Sequence, residues 1–398
     1  MVIELLGTRL IAPFYGSSLY VWTSLIAVTM MALAIGYYLG GRLSDRANDW
    51  YLPSLVVLSG VLCAWLPEAS PHVLALTNGL GIRWGALSSA MVLFFPVLVL
   101  LGAVGPLVIG QMTDRLASVG SSAGRVYALT TIGGVVGTLF LCFYLFPKYS
   151  SREILQGLGM LLTLLGVGAV FPFIKVLSPP FFKGYGFGSA LVLCVTGLPW
   201  FVAETDFSTA EIKVVSEQES LYGWVRVLDF PEKDIRILTS DASVIGAETH
   251  SVGETRLTYQ IIADAMPALR PGSRRVLLIG QGAGHIAMAL DRLYGIETDT
   301  IEIDPAVAEA ARTYFGFRPN GKSIVGDARY EVSQLKGPYD LIIHDCFTGG
   351  ADPTHLLTQE FFQRLKGMLR PDGILAINTV GFYEKGKNPA MASVGKTL

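Results

Sequence analysis

A bundle of membrane-spanning helices followed by a Rossmann-like α/β domain is the architecture this sequence predicts, and three observations predict it. Over half of the 398 residues are apolar and only 16% are charged, against roughly a quarter in ordinary soluble domains. Nearly all of that deficit lies before Glu204. After Thr205 short strand-like runs alternate with helical ones, and such alternation means a mostly parallel sheet. The expected division is 1–203 for the helical domain, 204–250 for a small antiparallel β region and 251–398 for the α/β domain.

A helix crossing the hydrocarbon core needs about 20 mostly apolar residues. Six stretches qualify: Leu19–Leu39, Trp50–Pro67, Trp84–Ile109, Val126–Pro147, Ile154–Ile174 and Gly186–Ala203. Met1–Tyr15 is shorter and carries Glu4 and Arg9, so it reads as the end of a span that begins upstream, without a cleavable signal pattern. Gly36/Gly40/Gly41 and Gly133/Gly134/Gly137 have spacings that let helix backbones approach closely. Pro96 and Pro106 fall within the third stretch, where prolines kink a helix or break it around a cavity. Glu4 and Arg9 allow two readings, charges that snorkel to an interface or a paired site within the bilayer.

Orientation follows from Lys and Arg. They collect after the first stretch (Arg42, Arg46), the third (Arg115, Arg125) and the fifth (Lys175, Lys183), a pattern that puts those loops in the cytoplasm and the C-terminal domain outside. The opposing loops hold Arg83, Lys148 and Arg152, so the bias is modest. A net charge of −2 without clustered Lys or Arg gives no reason to expect nucleic acid. Cys63, Cys142, Cys194 and Cys346 are far apart, which suggests neither a disulfide framework nor a metal site.

In the second half, Glu211–Ser216, Gly223–Asp229 and Ile235–Thr239 read as antiparallel strands. The parallel series begins at Arg275–Ile279, which ends in Gly280-Gln-Gly-Ala-Gly284 and runs into a helix over Ile286–Leu293. The strand Thr298–Ile303 carries Glu302 near its end, the helix Pro305–Phe315 follows, and the strand Ser323–Val325 ends in Gly326-Asp327. Tyr339–His344 ends in Asp345, and the helix Gln359–Leu369 leads to the strand Gly373–Asn378. Ligands of such sheets bind outside the carboxyl ends of the strands, where the loop glycines Gly280, Gly282 and Gly284, Glu302, Asp327 and Asp345 all fall. The Gly-rich turn lets backbone amides approach a nucleoside, and an acid about 20 residues further on accepts ribose hydroxyls. Asp327 reads either as an adenine contact or as a helix N-cap. A dinucleotide fingerprint fits less well, because His285 replaces its third glycine. His344 reads as a core residue; His355, after the Asp345 loop, reads either as a surface residue or as one that reaches the pocket.

These residues resemble the spermidine synthase family, specifically its membrane-embedded branch, and the likeness covers most of the chain. It rests on Glu4-Leu-Leu-Gly-Thr-Arg-Leu-Ile-Ala-Pro13, Gly16-Ser-Ser-Leu-Tyr-Val-Trp22 and Gly36-Tyr-Tyr-Leu-Gly-Gly-Arg-Leu-Ser-Asp-Arg46 in the first half. In the second it rests on Ser220-Leu-Tyr-Gly-Trp-Val-Arg-Val227, Tyr259-Gln260, Leu278-Ile-Gly-Gln-Gly-Ala-Gly284, Ile301-Glu-Ile-Asp304 and Val325-Gly-Asp-Ala328. The resemblance implies a class I methyltransferase-type sheet, decarboxylated S-adenosylmethionine as co-substrate rather than any prosthetic group, and 5'-methylthioadenosine as product. It implies putrescine or another polyamine as acceptor, a homodimer as in soluble members, and a final strand pair that this chain lacks after Leu398. Asp345 stands first in the family's catalytic D-x-x-D segment, but the second Asp is Thr348, so the base role falls on Asp345, on the nearby Asp352, or on no residue. Tyr222, Asp241, Tyr259 and His355 are the expected substrate contacts, and no metal is expected. Two further departures concern the amine end: Ala283 replaces an Asp of the Gly-rich loop, and Gly223 replaces a glutamine.

The expectation is therefore an aminopropyltransferase in the inner or plasma membrane, with its lipid-embedded bundle and a cytoplasmic catalytic domain that the simple charge count opposes. Two alternatives stay open. An S-adenosylmethionine-dependent methyltransferase suits the loss of the acid at Ala283, and a transporter or sensor that binds a nucleoside or polyamine without turnover suits Thr348.

Overall fold

The computed structural model describes residues 2–16, 18–46, 50–113, 119–169, 179–202, 208–209, 211–346, 353–379 and 389–398. Two compact units divide the chain, Met1–Thr205 and Asp206–Leu398.

The first unit is helical: α1 (Val2–Tyr15), α2 (Leu19–Ser44), α3 (Tyr51–Thr77), α4 (Gly81–Leu93), α5 (Phe95–Gln111), α6 (Val119–Phe140), α7 (Ser151–Ala169) and α8 (Pro179–Gly197). By length and composition, three segments among the described residues are long and apolar enough to cross a membrane: Leu19–Ser44, Tyr51–Leu93 and Val119–Leu145. The stretch expected as one span over Trp84–Ile109 is instead two helices that meet at Phe94. Pro96 explains the break, because it offers no N–H to the carbonyl four residues back. Pro106 sits inside α5 without ending it.

Small residues decide where the helices touch. A Cβ on Gly36 of α2 would lie 3.0 Å from the Gly102 Cα of α5. One on Gly60 of α3 would meet the Thr163 hydroxyl and the Gly159 carbonyl of α7 at 2.5 and 2.7 Å. The glycines of α6 do not behave this way: a Cβ on Gly133 meets nothing within 4 Å among the described residues. The packing role expected for that second glycine group is therefore not realised at Gly133, and most of α6 is exposed in this unit. Charges are met locally. The Arg9 guanidinium stacks 4.0 Å from the Phe146 ring centroid, and Arg152 at the start of α7 pairs with Glu68 of α3 at 2.7 Å.

The second unit holds two five-stranded sheets. β1 (Lys213–Glu219), β2 (Trp224–Phe230), β3 (Ile235–Ser240), β4 (Ser243–Thr249) and β5 (Glu254–Thr255) pair antiparallel in chain order. Sequence reading found the first three and missed β4, whose Val244-Ile-Gly-Ala-Glu248 has a central glycine and no clean alternation.

The second sheet is parallel throughout, in the order β10-β9-β6-β7-β8. Its strands are β6 (Arg275–Ile279), β7 (Glu297–Glu302), β8 (Ser323–Val325), β9 (Tyr339–His344) and β10 (Leu369–Ile377). The helices of this unit are α9 (Thr258–Asp264), α10 (His285–Tyr294), α11 (Pro305–Tyr314), α12 (Ala328–Gln334), α13 (Gln359–Met368) and α14 (Pro389–Thr397). β6 and β9 are almost wholly buried, as central parallel strands covered on both faces must be. After β6 the chain moves outward through β7 and β8, then returns to lay β9 on the other side of β6. That reversal opens a cleft at the carboxyl ends of β6 and β9.

Gly60→Ala and Gly133→Ala make a matched test of the helix contacts. In detergent, thermal unfolding of Gly60→Ala should show a loss of about 1–3 kcal/mol from overpacking. Gly133→Ala should be neutral or gain up to about 1 kcal/mol from helix propensity. Equal effects would contradict the contacts described.

Candidate active site

The loop between β6 and α10 makes three successive left-handed turns, with φ of +92° at Gly280, +54° at Gly282 and +86° at Gly284, a conformation that side chains resist. Space adds to the requirement. A Cβ on Gly280 would run into the Asp345 carbonyl, and one on Gly284 into the Phe317 ring. The loop is thus pressed against the end of β9 and aimed at the end of β7.

At the end of β7, Glu302 fills the loop from within. Its Oε2 accepts from the amides of Gln281 and Gly282, both at 3.1 Å, and its Oε1 accepts from the Asp304 amide at 3.1 Å. Burial pushes its carboxyl up to about 7, and the three N–H groups pull the other way. Two loop amides that would cradle a pyrophosphate are therefore occupied by a carboxylate of the chain itself. That arrangement suits the hydroxyls of an uncharged ribose and disfavours a dinucleotide.

Across the loop, Asp345 follows β9, its amide donating to the Ile279 carbonyl at 2.7 Å. Burial raises its carboxyl to about 6, against the opposing influence of hydrogen bonds from Asn378 and Tyr259. The Asn378 Nδ2 donates to Asp345 Oδ1 at 2.8 Å. The Tyr259 hydroxyl, near the start of α9, also receives Gln260 Nε2 at 3.2 Å, and burial with the Asp345 charge raises its own pKa. Asn378 was absent from the residues expected of the site. The rule that singled out Glu302 and Asp345, a polar residue at a strand's carboxyl end, applies equally to it.

The remaining expected residues divide. Asp327 caps α12, its Oδ1 accepting from the Arg329 amide at 2.8 Å, and stands 3.7 Å from His355 Nε2 on an exposed rim. Tyr222 is half exposed in the turn before β2, where burial first, then the Asp304 and Asp327 charges, raise its hydroxyl. That turn is moored by the Ser220 hydroxyl on Asp304 Oδ2 at 2.6 Å, a contact the sequence did not suggest. Asp241 is buried, adopts φ +49° in the β3–β4 turn and accepts from the Trp224 amide at 2.9 Å. Asp352, like Thr348, lies outside the described residues. His344 is buried edge-on against Phe361 and Phe362, and burial lowers its pKa, so it stays neutral in the core.

The departures at positions 283, 223 and 285 each have a local cause. Ala283 is fully buried beneath β4, so close that a Cβ on Gly246 would lie 2.5 Å from its own. A Cβ on Gly223 would lie 3.0 Å from the Asp241 carboxyl. His285, in place of a third glycine, pairs with Glu248 of β4 at 3.0 Å with both side chains buried.

Residues 258–386 match the spermine/spermidine synthase domain. A polyamine aminopropyltransferase of Vibrio vulnificus is 35% identical over 185 residues, covering 44% of this chain and 61% of that protein. Polyamine aminopropyltransferase 1 of Streptomyces coelicolor is 24% identical over 410 residues, 95% of this chain and 73% of that one. An N-terminal histidine N-methyltransferase of Emericella nidulans is 32% identical over 209 residues, 47% of this chain and 36% of the relative. Among solved structures, spermidine synthase from Thermotoga maritima aligns at 23% identity with a TM-score of 0.39, over 46% of this chain and 64% of that one. The chain spans only 36% to 61% of the length of the first relatives it matches.

Glu302 generates a pH prediction for the unliganded protein. Its folded pKa of about 7 lies above its ordinary 4.5, so its contribution to stability is present below about 4.5 and is lost as pH rises through 7. Glu302→Gln should flatten the fall in thermal midpoint between pH 5 and 8, a difference on the order of a few kcal/mol. Parallel curves for the two proteins would contradict the buried-carboxyl account.

Proposed function

We propose that the chain is a membrane-embedded polyamine aminopropyltransferase that makes spermidine, or a related polyamine, from putrescine and decarboxylated S-adenosylmethionine. The observation that carries the reading is the pair of carboxyls on either side of the Gly-rich loop, Glu302 at the end of β7 bound by the loop amides and Asp345 after β9 held by Asn378. They lie in a segment that matches the spermine/spermidine synthase domain.

Glu302 holds the ribose hydroxyls while the loop glycines admit the nucleoside, and Asp327 contacts the adenine edge. An amine attacks the carbon beside the sulfonium only when neutral, so a proton must leave the nitrogen. Asp345 accepts it, or Asp352 does so from the segment beyond. A carboxyl at about 6 is mostly ionised above neutral pH yet basic enough to take the proton. The C–N bond forms, the C–S bond breaks, and its electron pair neutralises the sulfonium as methylthioadenosine leaves. Tyr222, Asp241, Tyr259 and His355 are the further substrate contacts in this reading.

Membrane embedding rests on the three long apolar segments, and the likeness to the Streptomyces coelicolor protein extends over both units. The catalytic unit is proposed to be cytoplasmic, where sulfonium nucleosides are made, although the Lys and Arg count favours the opposite side. A second reading, an S-adenosylmethionine-dependent methyltransferase, is favoured by Ala283. Its burial beneath Gly246 leaves no loop acid to repel a nucleoside carboxylate, and one relative carries a methyltransferase name.

Purified in detergent and given decarboxylated S-adenosylmethionine with putrescine, the protein should release methylthioadenosine and spermidine in equal amounts. Asp345→Asn should cut turnover by about 10²–10⁴-fold and leave methylthioadenosine binding in place. Adenosylhomocysteine formed from S-adenosylmethionine would establish the methyltransferase reading instead, and the absence of either product would refute both.

A further inference from the structure

We infer that Asn378 is a positioning residue for Asp345, holding one carboxylate oxygen so that the other is directed at the attacking amine. The inference rests on the aminopropyl-transfer reading and deepens it.

Asn378 follows β10, and its amide donates to the His344 carbonyl at 2.8 Å, so the β9–β10 ladder fixes its backbone beside the residue that precedes Asp345. From there its Nδ2 reaches Asp345 Oδ1 at 2.8 Å. Asp345 is itself fixed at its amide by the Ile279 carbonyl, and its carbonyl abuts Gly280. Main chain from β6 and β9 thus holds both partners, Asp345 on the Ile279 carbonyl and Asn378 on the His344 carbonyl, and the carboxylate receives a donor that is not an acid. A neutral amide donor favours the charged form of its acceptor, against the burial that disfavours it. It cannot take up the proton that Asp345 receives, so the proton stays where transfer delivered it. The Tyr259 hydroxyl meets the same carboxylate from α9 and completes the frame.

The charged groups around this pair are few among the described residues. Glu302 lies on the far side of the loop, tied to the Gln281, Gly282 and Asp304 amides, and Asp327 lies at the rim with His355. His344, adjacent in sequence, is turned into the core against α13. None of them donates to Asp345 Oδ1 in place of Asn378.

The test is the pH profile of kcat/KM for aminopropyl transfer to putrescine by the full chain in detergent, for wild type, Asn378→Ala and Asn378→Gln. Methylthioadenosine affinity by calorimetry serves as the check on folding. Wild type should show an acidic limb that follows Asp345. Asn378→Ala should move that limb up by about one pH unit, a loss of about ten-fold below it, with activity largely recovered at high pH and nucleoside affinity unchanged. Asn378→Gln, which keeps the amide, should lie between them and carries the test if the alanine variant binds no nucleoside. An active wild type with the same limb in every variant that binds nucleoside would overturn the role of Asn378 alone. A wild type that binds nucleoside but transfers nothing at any pH would overturn the underlying reading, and this role with it.

Discussion

The carboxylate of Glu302 is bound on one oxygen by the amides of Gln281 and Gly282 and on the other by that of Asp304. Much of the second unit is arranged to permit that contact. The amides converge only because the backbone bends through three left-handed glycines, and the bend survives only where no side chain stands between the loop, β9 and Phe317. The strand order supplies the room, since β6 sits between β7 and β9 and its carboxyl end opens into the reversal of the sheet. Burial makes this carboxyl costly to ionise, and the three amide donors offset that cost and fix its direction.

The antiparallel sheet explains what the parallel one leaves open. β4 presses Gly246 onto Ala283 and sends Glu248 to His285, so it grips the loop from the side opposite the cleft. The β1–β2 turn is moored on Asp304, which also caps α11 through the Ala306 amide at 2.9 Å. Tyr222 is thereby suspended beside the two acids that raise its hydroxyl. Residues that look like losses along the sequence, Ala283 and Gly223, are places where this sheet comes too close for anything larger.

Much of this was legible. Polar residues at the carboxyl ends of apolar runs marked Glu302, Asp327 and Asp345, because a parallel sheet buries its strands and exposes their ends. The same logic reaches Asn378, which closes the run Gly373–Asn378. Other features were not available to pattern. β4 carries a glycine where it meets Ala283, and that close approach, not alternation, is what defines it. Pro96 left the third apolar stretch open to a kink or a break, and which of the two a proline produces depends on packing. Glycine spacing likewise does not tell which helix has a neighbour, as Gly60 and Gly133 show. Asp327 and Asp241 illustrate the converse: the local roles that sequence offered them, a helix cap and a turn, are the ones the fold realises.

Aminopropyl and methyl transfer ask nearly the same of this cleft. Both require the nucleoside to be held by its ribose and adenine, both bring a neutral nucleophile to a carbon on a positive sulfur, and both need a group to receive a proton. What separates them is which carbon of the sulfonium is presented, and that is set by the far end of its longest substituent, an ammonium alone or an ammonium with a carboxylate. In a loop with an acid at position 283 that end would be sorted by charge at close range. Here position 283 is an alanine sealed beneath β4, so the loop contributes shape and backbone amides but no charge to that choice. Among the described residues, the carboxyl left beside the loop on the β9 side is Asp345, raised by burial to about 6 and held by Asn378 and Tyr259. A single directed carboxylate favours an ammonium over a carboxylate in its neighbourhood by ordinary electrostatics. In the aminopropyl-transfer reading proposed above, that one carboxylate would be both the base and, by the same charge, the element set against the carboxylated nucleoside.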